Sequence, residues 1–196
     1  MSPVTSAATP WMVLTGPAGA GKTTLGQEVA AKTQRPFIDL DAVADDYYAQ
    51  AGWSIPRLRG RIAAVGRLAA EAEWESARAH AVACVIADHP DAVIGLGAGH
   101  TSYTTPGCLA AVRDALGRCR DVVRVVPSPD RQISLNVLRQ RCTASKGNSW
   151  VIDGHDFLAH WLDDPGARAL ATRTIYINDD TPAQTAARLL IHTDLS

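Results

Sequence analysis

Five short apolar runs recur along the chain, and the intervals between them carry apolar residues at helical spacing. Residues 11–15, 36–40, 92–96, 122–126 and 174–177 read as buried strands. Residues 22–32, 106–116, 131–141, 157–161 and 182–191 read as helices. From Asp41 the pattern turns helical, broken near Gly52 and Pro56, and an Ala-rich stretch over 58–89 keeps Leu, Val and Trp at helical spacing. Residues 142–153 are polar, with Ser145, Lys146, Gly147, Asn148 and Ser149, and read as a mobile loop. Short strands alternating with helices predict an α/β fold of parallel βαβ units with helices on both sheet faces. Residues 1–10 read as a flexible tail ahead of a single domain, 11–196.

Composition narrows the class only modestly. A chain of 196 residues builds one core without staples. The formal charge of −1 offers no basic field for nucleic acid or an anionic membrane. The four cysteines, Cys84, Cys108, Cys119 and Cys142, have no C-x-x-C spacing and read as free thiols of a reducing compartment. The first ten residues lack the basic start and apolar stretch of a signal peptide, and no apolar run reaches the ~20 residues of a membrane helix. The expectation is a cytoplasmic protein, monomeric or a small homo-oligomer, with no nucleic-acid or membrane partner.

One motif changes the picture. Gly16-Pro17-Ala18-Gly19-Ala20-Gly21-Lys22-Thr23, followed by Thr24, fits G-x-x-x-x-G-K-[ST] between a predicted strand and a predicted helix. Glycines let backbone N–H groups wrap a phosphate, and the helix N-terminus faces the anion. Lys22 is expected on the β- and γ-phosphates of ATP, and Thr23 on Mg²⁺. No N-K-x-D base-reading motif is present, and the third strand runs into Gly97 rather than an acid, so a GTPase or motor is not expected. The second strand ends Ile38-Asp39-Leu40-Asp41, which puts two carboxylates at the sheet edge where ligands bind in open α/β folds. One can hold Mg²⁺ and the other can orient or accept a proton from an attacking hydroxyl; alternatively, Asp41 caps the next helix.

The order GPAGAGKTT, FIDLDA, AGWSI, a long helix and IGLGAGHTS resembles shikimate kinase over roughly 11–190. The resemblance implies a P-loop kinase fold with a five-stranded parallel sheet, a helical substrate-binding insertion (42–90) and a lid (142–153). It also implies γ-phosphoryl transfer to a hydroxyl, with Asp41 on the acceptor hydroxyl, Asp39 near magnesium, and Gly97, Ala98 and Gly99 in place of a glycine triplet. The family's Phe-Arg-x-x-Glu is exchanged here to Trp74-Glu75-Ser76-Ala77-Arg78, and its lid Arg-Pro-Leu-Leu is missing. Arg139, Arg141 and Lys146 are the lid cations on offer, and Arg168 and Arg173 the C-terminal ones. A pocket for a carboxylate needs its guanidinium fork, so an acceptor other than shikimate is expected, neutral or cationic at its Glu75 end. Glu75 and Arg78 otherwise form a surface i,i+3 pair.

His100, Ser102 and Tyr103 follow the triplet as candidate substrate contacts. Asp153-Gly154-His155-Asp156 reads as a turn and helix cap or as polar groups brought over the acceptor. Trp53, Trp74, Trp150 and Trp161 read as core, with an aromatic wall possible at Trp53 and Trp74. The expected activity is ATP- and Mg²⁺-dependent phosphorylation of a small metabolite. The rivals are a nucleoside monophosphate kinase using Arg59, Arg61 and Arg67, and an ATP-binding regulator without catalysis.

Overall fold

A computed structural model describes residues 10–147, 150–177 and 180–191; the side chain of Lys146 and the expectations placed on 1–9, 148–149 and 178–179 lie outside it. The chain runs β1 (Met12–Thr15), α1 (Lys22–Thr33), β2 (Phe37–Asp39), α2 (Leu40–Gln50), α3 (Ile55–Val65), α4 (Arg67–Glu73), α5 (Glu75–Asp88) and β3 (Val93–Gly95). A 3₁₀ turn (Ala98–Thr101) leads to α6 (Pro106–Leu116), β4 (Val122–Val126) and α7 (Arg131–Lys146). The hairpin β5 (Val151–Ile152) and β6 (His155–Asp156), α8 (Phe157–Asp163), α9 (Pro165–Ala169), β7 (Arg173–Tyr176) and α10 (Pro182–Ile191) complete it.

The expected five-stranded parallel sheet is present, in the order β2-β3-β1-β4-β7. Strand alternation divides its side chains between two cores. Met12, Leu14, Val93 and Val123 pack with Leu25, Leu138, Leu158 and Leu189 on one face. Val13, Ile94 and Val122 pack with Leu40, Tyr48, Val82 and Leu116 on the other. With β1 central, its C-terminal end opens between the two helical layers, and the phosphate loop starts there. Among the described residues, no helix is long and apolar enough to cross a membrane.

Three features differ from the sequence reading. The stretch over 58–89 is three helices, because Gly66 takes φ +83°, a left-handed value that ends α3 and suits glycine alone, and Trp74 separates α4 from α5. In the segment expected as a lid, α7 continues to Lys146 with Cys142 at 0 % exposure in the core, and β5 begins at Val151. Pro10, assigned to the tail, is buried, and its carbonyl accepts from Arg120 N–H.

Candidate active site

Gly21 ends the loop at φ +87° and α1 begins at Lys22, so the loop and the first turn of α1 form one rim. Lys22 Nζ donates to the carbonyls of Gly16 (2.8 Å) and Pro17 (2.9 Å), which folds it over the loop. Beyond that rim lies a cavity of about 470 Å³, lined by Ala18, Gly19, Gly21, Lys22, Thr23 and Thr24. Asp39, Asp41 and Ala98 face them, and Arg141, Ala144 and Ser145 of α7 close the side. Ala20, expected among the phosphate contacts, is fully buried in the core. A second cleft of about 230 Å³ shares Gly21, Thr24 and Arg141 and continues along Leu25, Ile177, Asp180, Pro182 and Thr185.

Thr23 Oγ1 donates to Asp39 Oδ2 at 2.9 Å, so the two expected magnesium residues meet. Asp39 Oδ1 accepts the Asp41 backbone N–H at 3.1 Å, which makes Asp39, rather than Asp41, the cap of α2. A hydroxyl and a carboxylate are hard oxygen donors that fit Mg²⁺. Among the described residues there is no group of three or more His, Cys, Asp or Glu able to hold a metal.

Freed from capping, the Asp41 side chain stays 63 % exposed on the cavity wall. Gly97 lies directly against it, since a Cβ there would collide with the Asp41 carboxylate. His100 is 3 % exposed; its Nδ1 lies 3.6 Å from Asp41 Oδ1 without a hydrogen-bond partner, and its Nε2 meets Tyr48 Oη at 2.7 Å. Burial drives the His100 pKa down to about 4 against the pull of Asp41, so the ring is neutral near pH 7. Tyr48 was not anticipated. The signal was available, because Asp41 and Tyr48 are seven residues apart and share a helix face.

Glu75 and Arg78 are not where the resemblance puts them, nor are they a surface pair. Glu75 is 3 % exposed and accepts from Thr104 N–H (2.6 Å), Thr104 Oγ1 (2.7 Å) and Thr105 N–H (2.8 Å), holding the start of α6. Burial alone would raise its pKa; these hydrogen bonds outweigh burial and lower it. Arg78, 4 % exposed, donates to the carbonyls of Gly99 and Glu71 and lies over the Trp74 and Tyr103 rings. Gly99 must stay small because a Cβ would press on that guanidinium. The ground for a cationic acceptor at Glu75 is therefore gone: its carboxylate faces a helix N-terminus.

Of the lid cations, Arg141 lines both cavities, whereas Arg139 turns away to Asp156 (2.5 Å). Asp156 also caps α8 through Ala159 N–H, as the turn-and-cap reading of 153–156 expects. Arg173 is bound to Asp121 and Arg168 to the Leu162 carbonyl, so neither reaches Asp41. Ser102 bonds Asp164 (2.6 Å) and His160 (3.0 Å), and Tyr103 the His100 carbonyl (3.0 Å). Trp53, Trp74 and Trp161 are buried as core.

Residues 18–105 match the family model described as Shikimate kinase. That segment holds most of the phosphate loop, the acid pair and the Gly97-Ala98-Gly99 turn. Among solved structures, the chain is similar to shikimate kinase from Acinetobacter baumannii in complex with shikimate, at 22 % identity, TM-score 0.61 and 96 % coverage of both chains. Shikimate kinase from Aquifex aeolicus aligns at 18 % identity, TM-score 0.60, over 93 % of this chain and 95 % of that one. Shikimate kinase from Bacteroides thetaiotaomicron aligns at 22 %, TM-score 0.59, over 96 % and 98 %. No curated protein matches the chain. The chain thus has the fold of the shikimate kinase-like P-loop kinases and carries the shikimate kinase sequence pattern over residues 18–105.

Proposed function

We propose that the chain is an ATP- and Mg²⁺-dependent kinase that phosphorylates a hydroxyl of a small, neutral, hydroxyl-rich molecule. The family match and the fold support a small-molecule kinase. The observation that carries the finer reading is the single cavity in which Lys22, the Thr23–Asp39 pair and the exposed Asp41 carboxylate converge.

In this reading the loop N–H groups and Lys22 hold the phosphates, and the cleft between Arg141, Ile177 and Pro182 takes the base. Thr23 and Asp39 would hold Mg²⁺, which when bound supplies charge neutralisation at the β- and γ-phosphates. Asp41 orients the acceptor hydroxyl and receives its proton as the acceptor oxygen bonds the γ-phosphorus and the bond from that phosphorus to the bridging oxygen breaks, releasing ADP. Neutral His100, fixed by Tyr48, sits against Asp41 without adding a charge. Arg141 offsets charge on the transferring group from the α7 side. Catalysis is then mostly positioning and charge stabilisation.

A neutral acceptor follows from the committed guanidiniums. Arg61 is bidentate on Glu73, Arg67 pairs with Glu71, and Arg78 is spent on carbonyls. The same pairing takes Arg61 and Arg67 out of the set a nucleoside monophosphate would need, leaving Arg59 as the one of those three with no carboxylate partner among the described residues. The test is ADP formation from Mg·ATP with polyols, sugars, aminocyclitols, shikimate and nucleoside monophosphates, for wild type beside Asp41→Asn. Turnover with a neutral polyol or sugar, lost in the variant, is expected. Turnover only with a nucleoside monophosphate, or with shikimate at a rate usual for a metabolic kinase, would overturn the acceptor class; ATP bound without turnover would favour a regulator.

A further inference from the structure

Arg124 interrupts an otherwise apolar strand, VVRVV, and nothing in the proposed reaction uses it. It is 5 % exposed. Its hydrogen bonds all leave from Nη2, to the carbonyls of Leu162 (2.7 Å) and Trp161 (3.5 Å) at the end of α8. Nε and Nη1 make no hydrogen bond among the described residues, and Arg124 lines a cleft of about 180 Å³. Arg131 and Arg168 line the same cleft, with Ser128, Ser134 and Tyr176.

The charge there is unbalanced. Asp163 is bidentate to Arg131 and stands 3.6 Å from Arg168, so one carboxylate is shared by two of the three guanidiniums. Arg124 hydrogen-bonds only to carbonyls among the described residues, and its pKa is lowered by burial and then by Arg168, against the weaker opposing pull of Tyr176, Asp164 and Asp163. A buried cation with no carboxylate in hydrogen-bond contact is costly, and an anion in the cleft would relieve both the desolvation and the mutual repulsion. The cleft is small enough to exclude a nucleotide and large enough for a tetrahedral oxyanion, which guanidinium forks grip in two-pronged fashion. It is also separate from the phosphate loop. Arg131 begins α7 and Arg141, ten residues later, lines the nucleotide cavity, a separation of about 15 Å along the helix.

We propose that the cleft formed by Arg124, Arg131 and Arg168 is a second oxyanion site, taking inorganic phosphate or the phosphate of a small monoester. The test is thermal unfolding against inorganic phosphate and, in a parallel arm, glycerol 3-phosphate, each at ionic strength matched with sodium chloride. Lys22→Ala, which removes the loop's own grip on phosphate, is expected to keep a saturable gain from phosphate, because the proposed site is not the loop. Arg168→Gln, at a side chain 54 % exposed and therefore tolerated by the fold, should weaken the apparent affinity at least tenfold. Asp163→Asn should tighten it several-fold by removing the carboxylate that pairs with Arg131 and stands near Arg168. A stronger response to the monoester would identify the phosphate as part of a metabolite, and an equal one free phosphate. No response beyond matched chloride, a response lost in Lys22→Ala, or one unchanged in Arg168→Gln would overturn the site.

Discussion

Glu75→Gln isolates the clearest disagreement between sequence pattern and structure. The wild-type carboxylate accepts three hydrogen bonds, two from backbone N–H groups and one from a hydroxyl, at 3 % exposure. The Gln amide keeps one oxygen acceptor, but its NH₂ must then face Thr105 N–H or the Thr104 donors. One charge-assisted bond is lost outright, at about 1.5–3 kcal/mol, and the remainder weaken to neutral ones. A net loss of about 3 kcal/mol is expected, which for a domain of this size lowers Tm by about 6–12 °C. Urea unfolding at pH 7 reads it. Because the folded pKa of Glu75 is depressed, its contribution is full above the unfolded value of 4.5 and is lost as pH falls through the folded value. Wild type and variant should therefore converge in acid. Acceptor KM should hardly move. A variant within about 0.5 kcal/mol of wild type by the same unfolding assay, with acceptor KM raised tenfold, would refute the reasoning and return Glu75 to the acceptor pocket.

Lys22→Ala should remain folded by circular dichroism and lose phosphoryl transfer. Asp39→Asn should raise the Mg²⁺ concentration for half-maximal rate, whereas Asp41→Asn should cut kcat more than 100-fold with little change in nucleotide KM, an effect of about 3 kcal/mol on the transition state. Arg141→Ala should weaken nucleotide binding in a calorimetric titration, and Arg139→Ala should not. His100→Gln should remove a component of wild-type instability: the folded His100 pKa, about 4, lies below its ordinary 6.5, so wild type loses stability as pH falls from about 6.5 towards 4, and the variant should lose less.

The phosphate loop was legible because every fixed residue of its motif and both flanking elements lie within one short segment. The acid pair was legible for the same reason, yet its roles divided differently: Asp39 caps α2 while also meeting Thr23, and that leaves Asp41 open. Long-range pairing was not legible. Glu75 meets donors 29 and 30 positions away, and helical periodicity says nothing about which N-terminus a carboxylate will cap. Nor does periodicity register the left-handed turn at Gly66, since apolar residues keep their spacing on either side of it. The helical start of the expected lid was not legible because its polar composition outweighs one buried anchor, Cys142, in the tally along the chain. The second cleft assembles Leu25, Arg141 and Pro182 from three distant helices and has no local signature.

The central claim is transfer of the γ-phosphate to a small hydroxyl acceptor from one cavity. The most direct measurement incubates wild type with γ-³²P-labelled ATP, Mg²⁺ and a protein-free extract of small molecules, and follows the label by chromatography. The expected result is a labelled small molecule, an acid-stable monoester released by phosphatase, formed by wild type and absent with both Lys22→Ala and Asp41→Asn. Label found only as inorganic phosphate or in a nucleoside diphosphate, or formed equally by Asp41→Asn, would contradict it.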